Sequence, residues 1–198
     1  MRLLLLYARS RGAPTAVLAV IALCLAGAGA GQWLAARPTL DDATARLPVT
    51  VALAVAVAVV LAGTLYSPAD EIERAAPKPW QRWRAGHATT LAMVGTIFVS
   101  PVLPTAVHGQ ASLIRNTAGL LGLALIAAVV VGPRLTWVLP LGYAAAVYLF
   151  EGLRESPDRG VLTFLLQPGA SRSALAAGLL LLALGIGSWA KAGRNSTP

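Results

Sequence analysis

The sequence predicts an all-α integral membrane protein: a single transmembrane domain over residues 1–198 with six transmembrane helices, an N-terminal interfacial helix and a short helix on the cytoplasmic side. Two observations carry this prediction. The 198 residues are 57% hydrophobic and 12% charged, with a mean hydropathy of +0.69. An ordinary soluble domain is about 25% charged, so a water-soluble fold would lack the polar groups to cover its surface. The apolar residues are also gathered into runs close to the roughly 20 residues that, at about 1.5 Å each, cross about 30 Å of hydrocarbon.

The chain opens with MRLLLLYARSRGAP, whose apolar core is too short, and whose following arginines are too many, for a cleaved secretory signal. As a helix over 1–13 it puts Arg2 and Arg9 on one side and Leu3, Leu4, Leu6 and Tyr7 mostly on the other, as suits a segment lying along the membrane surface. The spans follow at about 14–36, 48–66, 88–107, 114–131, 134–150 and 173–190. Open sheet edges cannot face lipid and these runs are apolar on every side, so each reads as a helix, including the alternating VALAVAVAVV. In the first span, Gly27 and Gly31, with Gly29 between them, form a small-residue face for close helix packing. Pro101, Pro104 and Pro140 interrupt their spans, and the single cysteine, Cys24, is a packing residue without a disulfide partner. Before the sixth span, VLTFLLQPG over 161–169 is too short to cross and is expected to dip into the outer leaflet or lie on it.

Basic residues set the orientation. With an even number of spans both termini share one side, and a cytoplasmic N-terminus leaves ten Lys and Arg on inner segments against six on outer ones. The expected location is therefore a bacterial cell membrane, multi-pass, with both termini cytoplasmic; the Ala-, Gly- and Arg-rich, Lys-poor composition suits a high-GC bacterial genome. The formal net charge of +8 does not point to nucleic acid, because the arginines are scattered between apolar runs without a basic stripe interleaved with aromatics.

The cytoplasmic loop over 67–87 carries most of the polar information. Ser67 and Asp70 have capping-box spacing, Pro68 stands at the first helical position, and Pro77 and Pro79 stop the helix after about nine residues. Asp70 and Glu71 pair with Arg74 at i, i+4 and i, i+3, each pair contributing a few tenths of a kcal/mol. Trp80 and Trp83, with Arg82 and Arg84, then form interface anchors, indoles in the headgroup layer and arginines on anionic phosphates.

Catalytic motifs do not accompany this loop. Lys78 follows Pro77 and Lys191 follows Ala190, so no P-loop lysine is present, and GxSxG and HExxH do not occur. No catalytic residue, metal ligand or cofactor site is assigned. A membrane-embedded hydrolase is the enzymatic alternative, with Glu71, Glu73, His87 and Glu151 as the right residue types, although the CAAX-type intramembrane proteases use paired glutamates where this chain has Asp70-Glu71. An accessory or immunity-type membrane protein that binds a partner without transport is the other alternative.

Two stretches bring a family into view. Asp70-Glu71-Ile72-Glu73-Arg74-Ala75-Ala76-Pro77, and Leu113-Ile114-Arg115-Asn116-Thr117-Ala118-Gly119-Leu120-Leu121-Gly122-Leu123-Ala124-Leu125, resemble motifs of small actinobacterial permease-like membrane proteins, and the whole arrangement is similar to the membrane subunits of type-2 ATP-binding cassette (ABC) transporters. The resemblance implies an exporter subunit coupled to a separate ABC ATPase, which supplies ATP and Mg, and a second membrane subunit, identical or different. It also implies that Asp70, Glu71, Glu73 and Arg74 form the coupling helix that touches the ATPase. At 198 residues with short outer loops, the chain is smaller than usual for that family, which bears on whether it forms a complete pathway without a different partner.

Overall fold

The computed structural model describes residues 2–37, 47–67, 80–103, 109–151 and 161–192. Among these residues every regular element is a helix: α1 (Arg2–Ser10), α2 (Ala13–Ala35), α3 (Leu47–Gly63), α4 (Trp80–Val99), α5 (Gln110–Val130), α6 (Val138–Glu151), the 3-10 helix η1 (Val161–Leu166) and α7 (Arg172–Ala192). Three stretches, Ala13–Leu34, Gln110–Val130 and Arg172–Ala192, are long and apolar enough to cross a membrane, while Leu47–Gly63 and Val138–Leu149 are shorter apolar helices. Leu18 and Leu25 on α2, and Leu179, Leu180 and Leu184 on α7, are exposed, an arrangement consistent with a membrane protein.

Prolines account for the main shifts in helix boundaries. The sequence places a span at 88–107, but α4 starts at Trp80 and ends at Val99, just ahead of Pro101. A proline lacks the N–H that would continue the ladder and disfavours helical geometry in the residue before it. Pro140 does not interrupt a helix as expected: residues 131–137 form turns, helped by Gly132 at φ 101°, and Pro140 falls in the first turn of α6, where its missing N–H needs no partner. Pro104 lies outside the described residues.

Contacts at the two ends of the bundle fix the helix directions. At one end Arg11, ahead of α2, reaches Leu65, past α3. Tyr66 there meets Arg134 from the turn between α5 and α6, and Arg84, early in α4, lies over Trp189, late in α7. At the other end Gly31 of α2 approaches Leu103, beyond α4, and Arg115, early in α5, reaches Pro168, ahead of α7. Helices α2 to α7 therefore alternate up and down.

The centre of the bundle is α5, of which 67% is buried against 22% for α2 and for α7. Leu113, Leu120, Leu121, Ala124 and Leu125 are fully enclosed. The tightest packing joins α5 to α7. A Cβ at Gly122 would run into the backbone of Leu181, one at Gly185 would strike the backbone of Gly122, and one at Gly178 would sit 3.1 Å from the carbonyl oxygen of Arg115. Small residues allow this approach, and where the surroundings are hydrocarbon the gain is van der Waals contact between backbones. In α2, Gly27 and Gly31 face side chains of the same chain, Leu53 and Leu103, whereas Gly29 faces open space. Cys24 is buried in this layer and forms no disulfide among the described residues.

Candidate functional site

The charged loop singled out by the sequence lies mostly outside the described residues. Asp70, Glu71, Glu73, Arg74 and Lys78 lie outside the described residues, as does the side chain of Trp80. The two flanks are described: Ser67 is buried beyond α3, and α4 carries Arg82, Trp83 and Arg84 in its first turns. These three diverge. Arg82 and Trp83 are exposed, but Arg84 is buried, its guanidinium 4.7 Å over the indole of Trp189. Helical spacing separates them, since successive residues stand about 100° apart around the axis.

Beside these flanks, α1, the start of α2, the end of α3 and the start of α4 enclose a cleft of about 520 Å³. Its walls are apolar, including Val17, Leu61, Leu91 and Val94, and polar groups gather along α1 and the first turns of α4. Gly12 creates the corner: at φ 66° it adopts the left-handed geometry that turns α1 into α2 and leaves Arg11 at the bend. Arg11 is buried; its Nη1 donates to the Leu65 carbonyl at 2.9 Å, and its guanidinium lies 4.8 Å over the Tyr7 ring. Tyr7 also packs at 5.9 Å from Trp83 and edge-on at 5.8 Å from His87.

His87 stands one residue before the apolar run that starts at Ala88, and its hydrogen bonds fix its tautomer. The Thr64 hydroxyl donates to the Leu61 carbonyl at 2.7 Å, so its oxygen is left to accept from His87 Nε2–H at 3.3 Å. His87 Nδ1 then accepts from the Tyr7 hydroxyl at 3.5 Å. The short chain Tyr7, His87, Thr64, Leu61 ties α1 to the facing ends of α3 and α4. His108, the other histidine, lies outside the described residues.

A second polar constellation occupies the opposite end. Arg115 is 1% exposed. Its Nη1 donates to the Pro168 carbonyl at 2.8 Å, its Nη2 to the Gln167 carbonyl at 2.7 Å, and its Nε to Asn116 Oδ1 at 3.1 Å. Asn116 Nδ2 in turn donates to the Leu165 carbonyl at 3.0 Å. Carbonyls at and just past the end of a 3-10 segment lie beyond its own hydrogen-bond ladder, and these two side chains supply donors to three of them, with the Ser171 N–H also reaching the Pro168 carbonyl at 3.1 Å. Phe164, Leu165 and Leu166 are buried, with Phe164 stacked 5.3 Å from Tyr143. The apolar excursion that the sequence assigns to the outer leaflet thus sits, from Thr163 to Gln167, in the protein's own interior. Ser171 ends it by capping α7: its hydroxyl accepts from the Ala174 N–H at 3.3 Å and donates to Gln167 Oε1.

Arg115 is one of the six basic residues that the orientation count places on outer segments, a count that does not anticipate its burial. The available signal was Arg-Asn set inside an apolar helical run, where an unpaired charge is so unfavourable that a partner is required. No known protein family, curated protein or solved structure matches this chain.

Proposed function

We propose that this chain is the membrane-spanning subunit of an ABC transporter, an exporter component driven by a separate ATPase subunit that binds ATP and Mg. In this reading six helices, α2 to α7, cross the bacterial cell membrane, both termini are cytoplasmic, and a second membrane subunit completes the pathway. One observation supports the reading: Ser67 and the start of α4, which flank the acidic segment, stand at the end of the bundle where Arg11 meets Leu65, Arg134 meets Tyr66 and Arg84 meets Trp189. A motor that acts on two helices from outside needs a handle between them, on the side where helix ends are tied together. Displacement of α4 would reach α7 through Arg84 and Trp189, and α7 is locked to the central α5 by the glycine seam.

The test is copurification. An ABC ATPase expressed with this chain is expected to copurify with it, and the double variant Glu71→Arg, Glu73→Arg to lose the association by tenfold or more, since reversing charges at a contact costs several kcal/mol. Undiminished association in that variant refutes the assigned contact.

A further inference from the structure

We infer that the cleft between α1, α2 and α4 is a binding site for an anionic phospholipid of the surrounding bilayer, the phosphate at Arg82 and Arg11 and one acyl chain along Val17, Leu91 and Val94. At about 520 Å³ the cleft falls within the roughly 300–1,000 Å³ of small-ligand sites. Its chemistry is that of an amphiphile: apolar along the walls, with two guanidinium-bearing residues among the polar groups that line it. Arg82 is exposed, and a guanidinium matches a phosphate with two parallel donors. Arg11 adds positive charge from a position held firm by the Leu65 carbonyl. Trp83, 42% exposed at the same level, is the side chain expected at the headgroup layer. Leu18 and Met93, next to wall residues Val17 and Val94, are exposed, so the helices that form the walls also present apolar surface to the bilayer from which a lipid would enter. A small soluble anion would satisfy the arginines and leave the apolar walls uncovered, which favours the lipid. This inference needs the chain to be in a membrane and is independent of any ATPase.

Native mass spectrometry of the full chain released from mixed micelles provides the test, with phosphatidylglycerol and phosphatidylcholine of matched acyl chains as probes. The wild type is expected to retain one phosphatidylglycerol in preference to phosphatidylcholine. Arg82→Gln, a change at an exposed residue, is expected to lower phosphatidylglycerol affinity about fivefold, the effect of one basic group at the membrane surface. Gly86→Leu is expected to abolish the bound lipid, because Gly86 lines the cleft and a Cβ there meets nothing within 4 Å, so the added side chain fills the cleft without disturbing the bundle. Circular dichroism checks that both variants remain helical. Equal retention of the two lipids, wild-type affinity in either variant, or glycerol 1-phosphate binding as tightly as the lipid would each overturn the proposal.

Discussion

Arg115 shows how one buried side chain can decide the path of a segment far along the chain. Its guanidinium has donors in a fixed fork, and two of them meet the consecutive carbonyls of Gln167 and Pro168 at 2.7 and 2.8 Å. Replacing it with Met keeps apolar volume and removes a charged donor from both carbonyls, although Pro168 keeps the Ser171 N–H, and a hydrogen bond to a charged group contributes about 1.5–3 kcal/mol. Arg115→Met is therefore expected to lower thermal stability in detergent and to open residues 161–168 to limited proteolysis, whereas Arg115→Lys, with its charge retained and its fork lost, should fall between. Unchanged proteolysis in Arg115→Met would refute the role of the clasp. His87 makes the complementary point at the other end. Its tautomer follows from the single proton of the Thr64 hydroxyl, already committed to the Leu61 carbonyl.

At the level of elements, α5 and α7 are joined by backbone proximity more than by side-chain interdigitation. Gly119 and Gly122 on α5 face Gly178 and Gly185 on α7, and Gly119 also accommodates Phe164, whose Cζ lies 2.7 Å from where a Cβ would be. A methyl at Gly122 meets backbone, which cannot rotate away, so the helices must part. Gly122→Ala is expected to destabilise the bundle by about 1–3 kcal/mol in a denaturation series followed by circular dichroism. Gly29→Ala, at a position with nothing within 4 Å, is expected to be neutral or to stabilise by about 0.5–1 kcal/mol, because alanine is the better helix former. Equal effects of the two would mean that the seam is not the close contact described. The GxxxG pattern of α2 drew attention in the sequence, yet the tighter glycines were in α5, spread over the same motif that holds Arg115 and Asn116.

For the whole molecule, alternation of α2 to α7 brings the N-terminal bend, the turn after α5 and the end of α7 to one end, and the η1 segment to the other. If the basic residues orient the bundle as proposed, a cysteine at Glu71 (Glu71→Cys, Cys24→Ser) will react with a membrane-impermeant maleimide only in inside-out vesicles. A cysteine at exposed Ala170 will react only in intact cells. Labelling of position 71 from outside intact cells would invert the topology and remove the basis for an intracellular motor.

Helical class and the approximate position of most elements were legible because they depend on local apolar run length and on proline and glycine punctuation, both printed in the chain. Leu47–Gly63 and Gln110–Val130 follow closely the apolar runs that mark them. What the chain could not reveal was which polar residues turn inward. Arg84 against Trp189, Arg115 against Gln167 and Pro168, and Tyr7 against His87 join residues 52 to 105 positions apart, as the intervals 189 − 84, 167 − 115 and 87 − 7 show. Such partners are chosen by how helices pack rather than by neighbours in sequence. Run length and composition are enough to make this a greasy, helical, asymmetrically charged protein, since burial of apolar surface and satisfaction of backbone hydrogen bonds are settled segment by segment. That α5 is the axis, that residues 163–167 are buried inside the protein and that a cleft opens beside the first turns of α4 emerge from packing alone, because close packing depends on shapes that meet only after the chain has folded.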